Sequence, residues 1–83
     1  GVFAQTEQAI FLQAKQLYQQ KEYVLAKISF EKVANSAVFG AHARFYAGKC
    51  LYELGQKQEA VNQWSALEKE TPQWSERSDL LFW

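Results

Sequence analysis

Eighty-three residues make one small domain, near the size at which a single hydrophobic core is marginally stable. A content of 48% hydrophobic and 16% aromatic residues excludes a disordered chain, and nine basic residues cancel nine acidic ones without a block of either sign. That removes the clustered positive charge on which non-specific nucleic-acid binding relies; the single cysteine excludes an intrachain disulfide framework, and no apolar run approaches the ~18 residues of a membrane span.

One Pro and four Gly leave long uninterrupted segments rich in Leu, Ala, Gln, Glu and Lys, which are expected to be helical. At the start, Val2-Phe3-Ala4 ahead of Gln5 fits the residues before a signal-peptidase cut, a hint of export. The alternative is a vector-derived Gly1 followed by the opening turn of the first helix. From Thr6 onward Ala9, Ile10, Leu12, Ala14, Leu17 and Tyr18 recur at three- and four-residue steps, the pattern of an amphipathic helix with Thr6 as its cap and Glu7 in its first turn. Gln19 to Glu22 form a polar break.

A second helix is expected from about Tyr23 to Asn35, with Ala26, Phe30, Val33 and Ala37 on one side and Asn35 and Ser36 as terminators, since Asn tolerates the left-handed conformation common after a helix. Val38 and Phe39 are expected to plug the seam that follows. The third helix should run from about Ala41 to Leu54 and bury Ala43, Ala47, Gly48, Cys50, Leu51 and Leu54. A glycine inside a helix costs roughly 1 kcal/mol relative to alanine, so Gly48 implies close approach of a neighbouring helix. Gly55 permits the left-handed residue that turns the chain. The fourth helix, about Gln58 to Lys69, should bury Ala60, Val61, Trp64 and Leu67 and end at Thr71-Pro72. Ser75 can cap a fifth helix ending in Leu80, Leu81, Phe82 and Trp83, four bulky apolar residues suited to packing on a second copy or a downstream domain.

The chain partly repeats itself at an offset of 34 residues. Ala9, Phe11, Lys15, Leu17, Tyr18 and Ala26 return as Ala43, Phe45, Lys49, Leu51, Tyr52 and Ala60, with Phe30 replaced by Trp64 and Val33 by Leu67. A fixed period of this size marks stacked repeats, each of which has apolar faces that it cannot bury alone. Ala26 and Ala60 are expected to keep paired helices close, and Phe30 and Trp64 to fill the space between pairs.

Ala47-Gly48, Leu51, Ala60-x3-Trp64 and Pro72 in the second unit, with Ala14, Leu17 and Ala26-x3-Phe30 in the first, resemble the tetratricopeptide repeat, a 34-residue pair of antiparallel helices. Arg44 stands where that motif has Trp, Leu17 and Leu51 where it has Tyr, and Val38 where it has Pro. The resemblance implies an all-α fold, an antiparallel helix-hairpin solenoid of about five helices in a single domain: repeat one over residues 7–40, repeat two over 41–74, and a capping or partial third-repeat helix over 75–83. It also implies a non-catalytic module that binds a peptide or partner helix in a concave groove. The alternative is a self-assembly or scaffold element that uses the apolar C-terminal helix.

Few residues could carry chemistry. His42 and Cys50 lie eight residues apart on one expected helix, ~12 Å along its axis, too far to share a metal or a proton. There is no Gly-rich phosphate loop and no metal-ligand spacing, so no cofactor is expected. Cys50 reads as a small buried hydrophobe or, alternatively, a reactive thiol; His42 as a polar residue at a helix start or a binding residue. Phe11, Lys15 and Tyr18, and again Phe45, Lys49 and Tyr52, are spaced i, i+4, i+7 and share one helical face. In the repeats this chain resembles, the first helix of each pair lines the concave side, which implies two aromatic-lysine-aromatic rows facing one groove. His42, Gln8, Gln19 and Glu53 would flank them. The other reading makes the aromatics packing residues and the lysines a solvated face.

Overall fold

Residues 6–70 are described by the computed structural model, and they form four α-helices with no strand among them. These are α1 (Glu7–Gln19), α2 (Tyr23–Lys32), α3 (Gly40–Glu53) and α4 (Lys57–Glu70). The fifth expected helix, with Leu80, Leu81, Phe82 and Trp83, lies outside the described residues, as do Thr71-Pro72 and the Val2-Phe3-Ala4 segment.

Successive helices pack against one another in antiparallel order. Tyr18 at the end of α1 meets Tyr23 at the start of α2, with ring centroids 5.4 Å apart. Arg44 near the start of α3 donates twice to the Glu70 carboxylate at the end of α4, at 2.7 and 3.1 Å. Alanines at the crossings, Ala14, Ala26, Ala43 and Ala60, are fully buried and let the backbones approach closely.

Local sequence accounts for the helix ends. Thr6 is extended, and its Oγ1 accepts from the Ala9 N–H at 3.0 Å, satisfying one of the donors that an α-helix leaves open at its start. At the end of α3, Gly55 has φ 88°; its N–H donates to Tyr52 O at 3.0 Å while Gln56 N–H donates to Leu51 O at 2.9 Å. This is the Schellman closure. The same pair of bonds closes α1, from Lys21 N–H to Tyr18 O at 3.0 Å and from Glu22 N–H to Leu17 O at 2.9 Å, around Lys21 with φ 66°. Lys21 and Gly55 are 34 residues apart, so the period seen in side chains is written in backbone hydrogen bonds as well.

Several expectations are corrected. Helix α2 stops at Lys32 rather than Asn35, and Asn35 is not left-handed. The chain instead tightens through i→i−3 bonds from Val33 N–H to Phe30 O and from Ala34 N–H to Glu31 O. Ser36, the other expected terminator, makes the stop: its Oγ accepts from the N–H groups of Val38 and Phe39 and donates to Glu7 Oε1 at 2.9 Å, tying the connection to the start of α1. Phe39 alone plugs the seam, stacked on Phe11 at 5.2 Å, while Val38 is 71% exposed. Leu12, Ala37, Leu54 and Val61 are exposed. Leu12 and Val61 each sit one residue, about 100° of helix, past the buried Phe11 and Ala60. Leu54 stands at the C-cap of α3, where the helical face has already ended.

Phe30 and Trp64 are equivalent by the repeat. Phe30 is wholly buried at the seam between α1, α2 and α3, stacked on Tyr46 at 5.2 Å and 10° and edge-on to Phe11 at 5.7 Å. The seam that Trp64 is expected to fill, after the second pair, lies outside the described residues; within them its contacts lie in its own hairpin. Its Nε1 donates to Phe45 O at 3.1 Å, and its ring lies against Phe45 and Tyr52. Gly48 makes room for the indole, since a Cβ there would meet Trp64 Nε1 at 2.4 Å.

Two stability predictions follow from this backbone and packing. Gly48→Ala, which in an open helix would gain roughly 1 kcal/mol, should here cost about 1–3 kcal/mol by overpacking the indole, and the loss should shrink in a Trp64→Leu background; urea denaturation of the four proteins reads both. At the matched closures the signs should oppose: Lys21→Gly is expected to raise the urea midpoint and Gly55→Ala to lower it, each by about 1 kcal/mol of stability, because a side chain is strained at positive φ.

Candidate functional site

Helices α1 and α3 lie side by side across the top of α2, and their facing side chains form a cluster of rings and cations. Phe11 and Phe45, at 7% and 8% exposure, are its floor and pack in the core. Phe11 touches Phe30, Phe39, His42 and Tyr46; Phe45 touches Tyr46 and Trp64. Between them stands Tyr46, 8% exposed, held by Phe30 on its face and by Tyr18 at 5.8 Å edge-on.

The two repeated lysines lean over this floor, half-buried. Lys15 Nζ lies 5.8 Å from the Phe11 ring centroid and 5.9 Å from that of Tyr46. Lys49 Nζ lies 5.2 Å from Tyr18, 5.4 Å from Tyr46 and 5.9 Å from Phe45. Rings attract an ammonium through their negative faces, and the aliphatic stems bury against them while the charged ends face outward. At the far end Tyr52 is 44% exposed, stacked on Trp64 at 6.1 Å, with Lys57 Nζ of α4 5.3 Å from its centroid. The i, i+4, i+7 spacing thus brings Lys15, Tyr18 and Lys49 together around Tyr46, and leaves Tyr52 at the margin with Lys57.

Loss of water shapes the ionisable groups. Burial pushes the Tyr18 hydroxyl up to about 12, with the nearby Glu53 charge adding to the shift. Burial lowers Lys49, opposed by Glu53. His42, edge-on to Phe11 at 6.4 Å, is lowered by burial and then by the neighbouring charge of Lys15, which favours neutral imidazole. Cys50 is fully buried under α3, and burial raises its thiol to about 12, so it is held as the unreactive thiol. Among the described residues no three His, Cys, Asp or Glu side chains converge as a metal site would require. No helix among them is long and apolar enough to cross a membrane.

Tyr46 and Lys57 are the site residues that the repeat does not reveal. The counterpart of Tyr46 one period earlier is Leu12, which is exposed, because α3 has a helix pair before it to cover that position and, among the described residues, α1 has none. The available signal was position: Tyr46 stands four residues after His42 and three before Lys49, on the same helical face. Leu80, Leu81, Phe82 and Trp83, expected at an assembly surface, lie outside the described residues.

Comparison of the chain with protein-family models, with curated proteins and with solved structures found no match.

The His42 environment sets an acid-side prediction. The unfolded chain takes up the histidine proton near pH 6.5, whereas the folded protein resists it to lower pH. Stability should therefore be complete above pH 6.5 and fall as pH drops through the folded-state value. His42→Gln should flatten that part of the curve in urea titrations between pH 7.5 and 5, leaving only the acid loss common to the carboxylates.

Proposed function

We propose that this chain is a non-catalytic protein-interaction module of the tetratricopeptide type, holding a peptide or a partner's helix across the α1–α3 face. In this reading the two helix pairs are consecutive turns of a solenoid. The observation that carries it is the recurrence of one arrangement, ring-lysine-ring, on two neighbouring helices 34 residues apart and on the same side of the stack. The matched Schellman closures at Lys21 and Gly55 support the repeat, since they are equivalent in backbone bonding although only one is a glycine.

The chemistry of the face favours recognition. Rigid rings offer contact area at little cost in side-chain entropy, and lysines against them present positive charge where water is partly excluded. The cysteine offers no nucleophile, as its thiol is buried and raised to about 12. Lys15, Lys49, Tyr18, Tyr52 and His42 would contact the partner, with Phe11 and Phe45 beneath them as support.

Charge reversal tests the surface. Lys15→Glu combined with Lys49→Glu should abolish capture of the partners that wild type retrieves from the native cell extract. Lys32→Glu with Lys69→Glu, the same charge change on α2 and α4, should retain them. Identical captures by the first pair and by wild type would remove the α1–α3 face as the binding surface.

A further inference from the structure

We infer that Tyr46 is a positioning residue, the shared platform that makes Lys15 and Lys49 a single two-cation site. What the pair grips rests on the reading above; the pairing itself does not. The two lysines come from different helices, and a lysine side chain has four rotatable carbons, so nothing in the repeat alone holds their ammoniums in register. Among the described residues, Tyr46 is the ring that both reach, Lys15 Nζ at 5.9 Å and Lys49 Nζ at 5.4 Å from its centroid.

Tyr46 is suited to this because it is itself immobile. It is 8% exposed, stacked at 10° on the fully buried Phe30, with Phe11, Tyr18 and Phe45 edge-on around it at 6.1, 5.8 and 5.9 Å. Other rings add to this: Phe11 lies beside Lys15, and Tyr18 and Phe45 beside Lys49. Those contacts tether each ammonium, whereas the common ring fixes one relative to the other. Two like charges brought to one ring repel, so their separation is a compromise between ring attraction and mutual repulsion, and it is the stack on Phe30 that sets it. The hydroxyl of Tyr46 has no part in this, which gives the inference a sharp conservative control.

Lysine side-chain NMR tests it without any ligand. In wild type and in Tyr46→Phe, the ε-methylene protons of both Lys15 and Lys49 should be shifted upfield by ring current. In Tyr46→Leu both shifts should shrink together, while those of Lys57, which lies over Tyr52, stay. Loss at one lysine only, loss in Tyr46→Phe, or no loss in Tyr46→Leu would each overturn the shared platform. Should Tyr46→Leu fail to fold, nuclear Overhauser contacts from the Tyr46 ring protons of wild type must reach the ε-methylenes of both lysines, and absence of either overturns it. Capture of partners from extract should follow the same split, kept by Tyr46→Phe and lost by folded Tyr46→Leu; capture unaffected by Tyr46→Leu would overturn the functional role of the platform. Failure of wild type to capture any partner would instead count against the interaction reading, with the NMR result still deciding the pairing.

Discussion

The two hairpins become one body through the ring of Phe30. It lies wholly buried between Phe11 of α1 and Tyr46 of α3, and the cluster of rings and lysines on those two helices is built on that stack. Burying a phenylalanine contributes roughly 1.5–3 kcal/mol relative to leaving it in water, a sizeable share of the 5–15 kcal/mol that holds an ordinary domain together. The alanines at the helix crossings allow this. With a larger side chain at Ala26 or Ala43, both fully buried, the helices would stand too far apart for the rings to meet.

That close approach has an electrostatic consequence. Rings of α1 and α3 meet around Tyr46, and the residues beside them lose part of their water. The same loss raises the Tyr18 hydroxyl, lowers Lys49 and His42, and raises the Cys50 thiol beneath them. The lysines stay tolerable there because rings stand in for some of the missing hydration. A surface of this kind is stiff below and charged above.

The two 34-residue units match in the backbone bonds of their turns. Leu17 and Leu51, Lys21 and Gly55, Glu22 and Gln56 make matching turns. Phe30 fills the seam between the hairpins, and among the described residues Trp64 lies on its own α3, where Gly48 receives the indole and Phe45 O accepts its N–H. The first unit has Ala14 in place of Gly48 and a smaller ring in place of Trp64, so it has neither the space nor the reach for the same contact. Side chains at equivalent positions adapt to what stands next to them, while hydrogen bonds within a turn do not.

Residues that act through neighbours three or four positions away were legible from the chain alone: the Thr6 cap, the left-handed Gly55, the four helical segments, and the buried alanines Ala14, Ala26, Ala43 and Ala60. Local bonding and helical period govern these, and both are written in spacing. Tertiary structure alone decided which ring each lysine leans on, that Tyr46 is buried while Leu12 one period earlier is exposed, that α2 stops at Lys32 because Ser36 ties the next turn to Glu7, and that Trp64 closes on Gly48. Each of those depends on a partner brought near from a different helix or connection, and a one-dimensional period carries no record of which partner that is.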